Sequence, residues 1–187
     1  MSNNSGLSEV NILSHIKKSA NGRYKSLQGT YNPRIGGPYK GPMKKPVFRS
    51  KLEWRLMLML DNPMANNVIS WEYESRRIPY VDKSSADIDS RGFKKFPTRH
   101  YVVDFIVKLK DTHGNVQSFW IEVKSIHDIQ VTKKHRSTQN AKIAEKIRIK
   151  NLCKWMAASK AAKLNGAHFM VLTENELGTL GRMINGR

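Results

Sequence analysis

Two segments rich in β-branched and aromatic residues, 101–109 and 116–124, flank a short stretch, 110–115, that carries Asp111 and the pair Gly114-Asn115. This pattern predicts an antiparallel hairpin closed by a turn. With a register symmetric about His113, Asp104 lies opposite Glu122, and the period-two alternation of strand side chains puts Lys124 on their face. Like charges facing each other across a sheet are destabilising, and carboxylates set among Val102-Val103 and Phe105-Ile106-Val107 need a partner. Something positive must therefore stand between them. Lys124 can fill that role as a structural ion pair beside an edge-strand Asp. Two carboxylates at one spot also suit Mg²⁺, which takes one or two carboxylates, keeps several waters and accepts phosphate oxygens for the rest. The spacing alone leaves both readings open, and a bulge in the hairpin would break the geometry.

The remainder of the composition narrows the partners. At 187 residues the chain has the length of one domain that buries about 70% of its unfolded surface. Its 33 Lys and Arg against 15 Asp and Glu leave a net charge of +18, a self-repulsion that a polyanion relieves. Double-stranded DNA is the expected partner. A membrane is not, because no apolar run approaches the roughly 18 residues of a transmembrane span and the first residues lack a signal peptide's apolar core. The chain is therefore expected to be soluble and not secreted. Its single cysteine, Cys153, excludes an intramolecular disulfide and fits a reducing cytoplasm. With no C-x-x-C and no H-x-x-x-H, a structural zinc site is not expected.

A short helix is predicted over residues 10–19, with Ile12, Leu13 and Ile16 on one side. The composition then changes to Gly, Pro, Tyr and base, and Pro33, Pro38, Pro42 and Pro46 exclude a long helix. Residues 1–49 thus read as an extended basic arm and 50–187 as the folded domain. No acid occurs between Glu9 and Glu53, whereas Arg23, Lys25, Arg34, Lys40, Lys44, Lys45 and Arg49 alternate with Tyr24, Tyr31 and Tyr39. Such cations track phosphates and such rings stack on bases. A solvated tail is the alternative, although tails are usually poor in aromatics.

Residues 50–61 predict a largely buried helix that stops before Pro63. Ser50-x-x-Glu53 is a capping box, in which the Glu53 carboxylate reaches back to a backbone N–H; any further role needs one of its oxygens free. Strands follow at 68–73 and 76–80, then a long charged loop over 81–100 in which Arg99 and His100 are candidates for phosphate contact. After Lys124 comes an irregular basic stretch with Lys133, Lys134 and Arg136, then a helix over 141–165 ended by Gly166. Ile143, Ile147, Leu152, Trp155 and Met156 mark its expected buried side. Lys142, Lys146, Arg148, Lys150, Lys154, Lys160 and Lys163 make the rest cationic, with Glu145 the only acid, which favours phosphate binding over a plain solvated face. Residues 167–173 close the pattern as an apolar strand, expected at the centre of the sheet.

Taken together, Arg49-Ser50-x-x-Glu53, Trp71 with Ile78-Pro79-Tyr80, Tyr101-x-x-Asp104-Phe105, Glu122-Val123-Lys124 and Val171-Leu172-Thr173-Glu174 resemble the PD-(D/E)xK nuclease superfamily. Within it, the likeness is to the head-completion nucleases of contractile-tailed phages and to the related transposon end-cleaving endonuclease TnsA. The likeness spans roughly residues 23–177. It departs at Val103, where the family usually has Pro. The resemblance implies an α/β, restriction-endonuclease-like core: a mixed central sheet flanked by helices, with the basic arm appended. It implies that Asp104 and Glu122 hold Mg²⁺, for which Mn²⁺ can substitute, that Lys124 orients the attacking water or balances phosphate charge, and that Glu53 completes the acidic cluster. The implied activity is a Mg²⁺-dependent DNA endonuclease of a tailed phage that acts on genome ends during head completion and packaging. Its place would be the host cytoplasm and the virion, beside head or neck proteins. A transposition endonuclease, or an inactive DNA-binding head or neck protein, is the alternative.

Overall fold

The computed structural model describes residues 27–129 and 138–185. The predicted helix over 10–19 and the candidate DNA contacts Arg23, Lys25, Lys133, Lys134 and Arg136 lie outside the described residues. In chain order, β1 (Gly29–Thr30) pairs with β2 (Val47–Phe48), and α1 (Lys51–Leu60) follows. Then come β3 (Val68–Val81), the small hairpin of β4 (Asp87–Ile88) and β5 (Lys94–Lys95), β6 (Thr98–Lys110) and β7 (Val116–Val123). The short α2 (Ile126–Ile129), the long α3 (Thr138–Leu164), β8 (Ala167–Leu172) and α4 (Glu174–Asn185) complete the chain.

The central sheet has the order β3-β6-β7-β8, antiparallel except for the parallel β7/β8 pair. It is the mixed sheet of the expected α/β core. Alternate residues of β7 feed different cores: Ile121 and Val123 pack with α1 and with Leu177, Leu180 and Ile184 of α4, whereas Trp120 packs with Ala158 and Ala162 of α3. Helices therefore cover both faces. This explains why β8, expected at the centre, stands at an edge of the sheet: its apolar character comes from helices above and below, not from strands on both sides.

The hairpin of β6 and β7 keeps the predicted register, with Phe105 opposite Ile121 and Lys110 opposite Val116. Its turn is fixed by Asp111, whose Oδ1 accepts from the N–H of His113 (2.9 Å) and Asn115 (2.8 Å), and by Gly114 at φ 87°, a left-handed conformation that glycine adopts without cost.

The two strands predicted at 68–73 and 76–80 are one. A bulge leaves Glu74 and Ser75 between the pairs Tyr73–Phe105 and Arg76–Val103, with Glu74 at φ 47°. Across it the buried side of β6 changes: Tyr101 and Val103 belong to the core under α3, Phe105, Val107 and Leu109 to the core under α1. Asp104 is the residue at the crossover. Pro79 is accommodated because β3 is an edge strand.

Helix α3 departs from its predicted orientation. It buries Ala158 and Ala162, while Ile143, Ile147, Leu152 and Met156 are exposed. Small residues let the helix approach the sheet closely. At 27 residues it is about 40 Å long and overruns the six-residue β8, about 20 Å.

The described part of the arm, 27–49, lies on the domain itself. Phe48 is buried, and Tyr39 stacks at 4.6 Å and Tyr31 at 6.0 Å on the fully buried Trp71. The backbones of Pro38 and Lys40 bond to that of Trp71. Both rings are thus spent on the core and not held out for bases. No helix among the described residues is long and apolar enough to cross a membrane.

Candidate active site

The hairpin ladder ends at Phe105 and Ile121, one step short of Asp104 and Glu122. There the Asp104 side chain takes over from the backbone, its Oδ2 accepting from Val123 N–H at 2.8 Å. The other oxygen, Oδ1, has no hydrogen-bond partner among the described residues. Glu122 is buried, at 3% exposed, and both its oxygens are engaged: Oε1 by Lys124 Nζ at 3.0 Å, Oε2 by the Tyr101 hydroxyl at 2.5 Å. A buried carboxylate survives only with such donors around it.

Burial and the charge of Glu122 push the Asp104 carboxyl well above the usual carboxylate range; the Val123 N–H and Lys124 oppose the rise, and Glu53 adds to it. Burial disfavours the Lys124 charge, but Glu122 and Asp104 outweigh it and hold the ammonium above the usual lysine range. Burial, then Glu122, also raise the Tyr101 phenol, which stays a proton donor. The sequence-predicted set of Asp104, Glu122 and Lys124 is therefore one electrostatic unit. Two facing carboxylates, one with an open oxygen and an elevated proton affinity, form a hard-oxygen donor set short of positive charge. That chemistry fits a divalent cation.

Glu53 lies close enough to raise Asp104, yet its own oxygens are committed. Oε1 accepts from the Ser50 hydroxyl (3.0 Å), and Oε2 from Arg49 N–H (3.0 Å) and the Tyr73 hydroxyl (2.9 Å). Ser50 Oγ in turn accepts from Glu53 N–H at 3.1 Å. The capping box is thus real, reaching the N–H of Arg49 instead of that of Ser50, and both Glu53 oxygens take part in holding the start of α1. No three His, Cys, Asp or Glu side chains among the described residues are grouped to hold a metal. Glu53 therefore shapes the field at Asp104 without standing beside it as a third ligand.

The basic residues divide. Arg34, Lys40, Lys44 and Lys45 are exposed on the arm, and Lys142 and Lys146 on α3, while Lys150 is half-buried. Arg49 is bound through both guanidinium nitrogens to Glu74 at the bulge. Arg99 forms an ion pair with the buried Asp82 at 2.9 Å, so it holds the end of the sheet and is not free for phosphate in this state.

Two side chains near the site, Tyr101 of the motif before Asp104 and Lys154 of the cationic helix, were given no specific role by the sequence. Tyr101 reads there as one more β-former, and only the register reveals its reach to Glu122. Lys154 reads as one lysine of a cationic helix; its Nζ in fact lies 5.6 Å from the centre of the Tyr101 ring. A four-residue spacing from Ala158 was the available signal.

In comparison with known families, residues 65–174 match the family model described as TnsA-like endonuclease N terminal. The matched stretch holds the whole four-stranded sheet with Asp104, Glu122 and Lys124, and begins after Glu53 and the arm. No curated protein matches the chain.

Proposed function

The chain belongs to the TnsA-like endonuclease family, with its PD-(D/E)xK nuclease fold, and on that premise we propose that it is a divalent-metal-dependent endonuclease of double-stranded DNA. The observation that carries the metal dependence is the pairing of Asp104, with its open Oδ1 and raised carboxyl, against the buried Glu122. Asp104 and Glu122 would hold Mg²⁺, or Mn²⁺ in its place, and the cation would supply Lewis acidity that activates water and offsets phosphate charge.

The protein's own groups do the rest. Lys124, anchored on Glu122 Oε1, presents a cation where water attacks and charge grows on the phosphate. Tyr101 fixes Glu122 through its hydroxyl, and the Val123 N–H fixes Asp104. The water oxygen bonds to phosphorus and one P–O ester bond breaks. Of the two water protons, one ends on the departing oxygen, giving a hydroxyl, and the other stays with the phosphate monoester until solvent takes it. Glu53 keeps the surrounding field negative and so favours the cation.

The finer reading is a tailed-phage nuclease that trims genome ends as heads are completed, in the host cytoplasm and on the virion, beside head or neck proteins. Its support is the sequence resemblance of Arg49-Ser50-x-x-Glu53 and the basic arm, both outside the matched 65–174. The match itself favours a second reading equally well, a transposition endonuclease working with transposase subunits. One experiment addresses both: purified protein is incubated with linear and circular duplexes under Mg²⁺, Mn²⁺ or EDTA. Cleavage by the lone protein of ends without a defined sequence supports the head-completion reading. Cleavage only at specified ends with added subunits supports transposition. DNA binding without cleavage under either metal would refute the nuclease reading and leave an inactive DNA-binding protein.

A further inference from the structure

Helix α3 meets the sheet along a stripe that repeats every four residues: Ala162, Ala158, Lys154 and Lys150. The two alanines are fully buried in the core shared with Tyr101, Val103 and Trp120. One turn nearer the N-terminus, where the same stripe passes over the catalytic end of the sheet, the core position is a lysine. Its stem is partly covered, and its Nζ stands 5.6 Å from the centre of the Tyr101 ring. That ring's hydroxyl donates to Glu122. Lys154 thus lies over the ring whose hydroxyl holds Glu122, near enough for Glu122, Lys124 and Asp104 all to act on its charge.

Its surroundings are unusual for a lysine. Among the described residues it has no carboxylate within ion-pair distance and no hydrogen bond, and its Nζ faces the ring of Tyr101. A cation over an aromatic face is attracted by the ring, but a partly desolvated ammonium still lacks the anion that normally accompanies it. Lys124, by contrast, is satisfied by Glu122 at 3.0 Å. Burial, with Lys124 and Lys150 reinforcing it and Glu122 and Asp104 opposing it, holds the Lys154 ammonium below the usual lysine range. An incoming anion would reverse this.

We infer that Lys154 is a phosphate-binding residue of the catalytic centre, its ammonium contacting a non-bridging oxygen of the scissile phosphodiester. The inference rests on the nuclease reading above and extends it to a residue outside the Asp104, Glu122 and Lys124 set. As water adds to phosphorus and the P–O ester bond breaks, negative charge concentrates on the non-bridging oxygens. Lys124 reaches that charge from its anchor on Glu122 and Lys154 from its place over the Tyr101 ring. A compact ammonium on a flexible stem suits a single oxygen and needs no bidentate geometry. Loss of stabilisation made mainly in the transition state lowers the chemical rate more than it lowers affinity.

The test uses the full chain in single-turnover cleavage of a linear duplex under Mg²⁺, with DNA affinity measured separately in EDTA. Lys154→Met keeps the stem that packs on Tyr101 and removes the charge. It should cleave about a hundredfold more slowly, bind DNA within about threefold of wild type and melt at the wild-type temperature. Lys154→Arg should recover part of the rate. A duplex with one non-bridging oxygen of the scissile phosphate replaced by methyl separates contact from structure: its penalty should be large for wild type and much smaller for Lys154→Met. Equal penalties in the two proteins, or a wild-type rate in Lys154→Met, would overturn the role of Lys154 while leaving the nuclease reading standing. A wild-type protein inert on every duplex would overturn both.

Discussion

Tyr101→Phe removes one oxygen atom and nothing else from the centre of the site. The ring stays in its core, 4% exposed, and keeps its face toward Lys154. What disappears is the 2.5 Å hydrogen bond to Glu122 Oε2, leaving Lys124 on Oε1 as the carboxylate's remaining donor. A hydrogen bond to a charged group contributes about 1.5–3 kcal/mol, and a buried acceptor left without a donor is at the upper end of such losses. For a chain of this size each kcal/mol is about 2–4 °C of melting temperature, so a loss of about 2 kcal/mol lowers the transition by about 4–8 °C. The assay is thermal unfolding followed by circular dichroism, in EDTA, for wild type, Tyr101→Phe, Glu122→Gln and the double variant. Tyr101→Phe should cost much less in the Glu122→Gln background, where the acceptor carries no charge. A shift under about 1 °C, or strict additivity of the two substitutions, would show that the hydroxyl does not hold Glu122 and that this carboxylate is fixed in some other way.

Asp104→Ala should abolish cleavage while DNA affinity, measured by fluorescence anisotropy, stays within about threefold, because a metal ligand is lost and no phosphate contact is; wild-type cutting would sink the assignment. The Asp104 carboxyl is raised, so the folded state retains a proton that the unfolded chain gives up above about pH 3.9, and this group's contribution to stability falls as pH climbs from there. In EDTA, Asp104→Asn should therefore melt above wild type at pH 7 and approach it near pH 4; a less stable Asn variant at pH 7 contradicts the raised carboxyl. Glu53→Gln can keep the cap by presenting its amide N–H to Ser50 Oγ, so it should fold within about 1 kcal/mol of wild type yet cleave at least about tenfold more slowly through the lost charge. Normal cleavage would make Glu53 a cap alone. Replacing Arg34, Lys40, Lys44 and Lys45 with Ala should flatten the slope of log K against log salt by about 3–4 units, at about 0.9 per phosphate contact. An unchanged slope moves the arm off DNA.

The hairpin was legible because three independent signals agreed: β-formers on both arms, an Asp and a Gly in the turn, and charges that the symmetric register brings face to face. Tyr101 and Lys154 were not, since each depends on a contact between elements far apart in sequence. The large apolar residues of α3 point away from its buried side because close helix-to-sheet packing selects alanine, so Ala158 and Ala162 are buried while Leu152 and Met156 of the same stretch are exposed. In the arm, tyrosines among lysines resemble a stacking surface until Trp71 is seen to hold Tyr31 and Tyr39. This is also why charge substitutions are the proper test there: deletion of 27–49 would take Phe48 out of the core. Helix α4 had a signal that passed unused, the capping box Thr173-x-x-Glu176, in which Glu176 Oε2 accepts from Thr173 N–H at 2.9 Å.

The charge arrangement separates binding from cutting. The chain as a whole carries +18, which draws DNA from any direction, but the centre that must receive the scissile phosphate is an acid island. Asp104, Glu122 and Glu53 against Lys124 give −3 + 1 = −2 when all are ionised, and that island repels phosphate locally even as the surrounding surface attracts it. A divalent cation brings the sum to zero, and only then does Lys154, over the Tyr101 ring, add a net attraction at the reacting phosphorus. Metal is thus expected to act less on how tightly DNA is held than on whether a phosphate can enter the site. A dissociation constant that barely changes between EDTA and Mg²⁺, beside a cleavage rate that appears only with Mg²⁺, is the pattern this arrangement requires. A large metal-driven gain in affinity on uncleavable duplex would place the cation in DNA tracking and not in admission to the site.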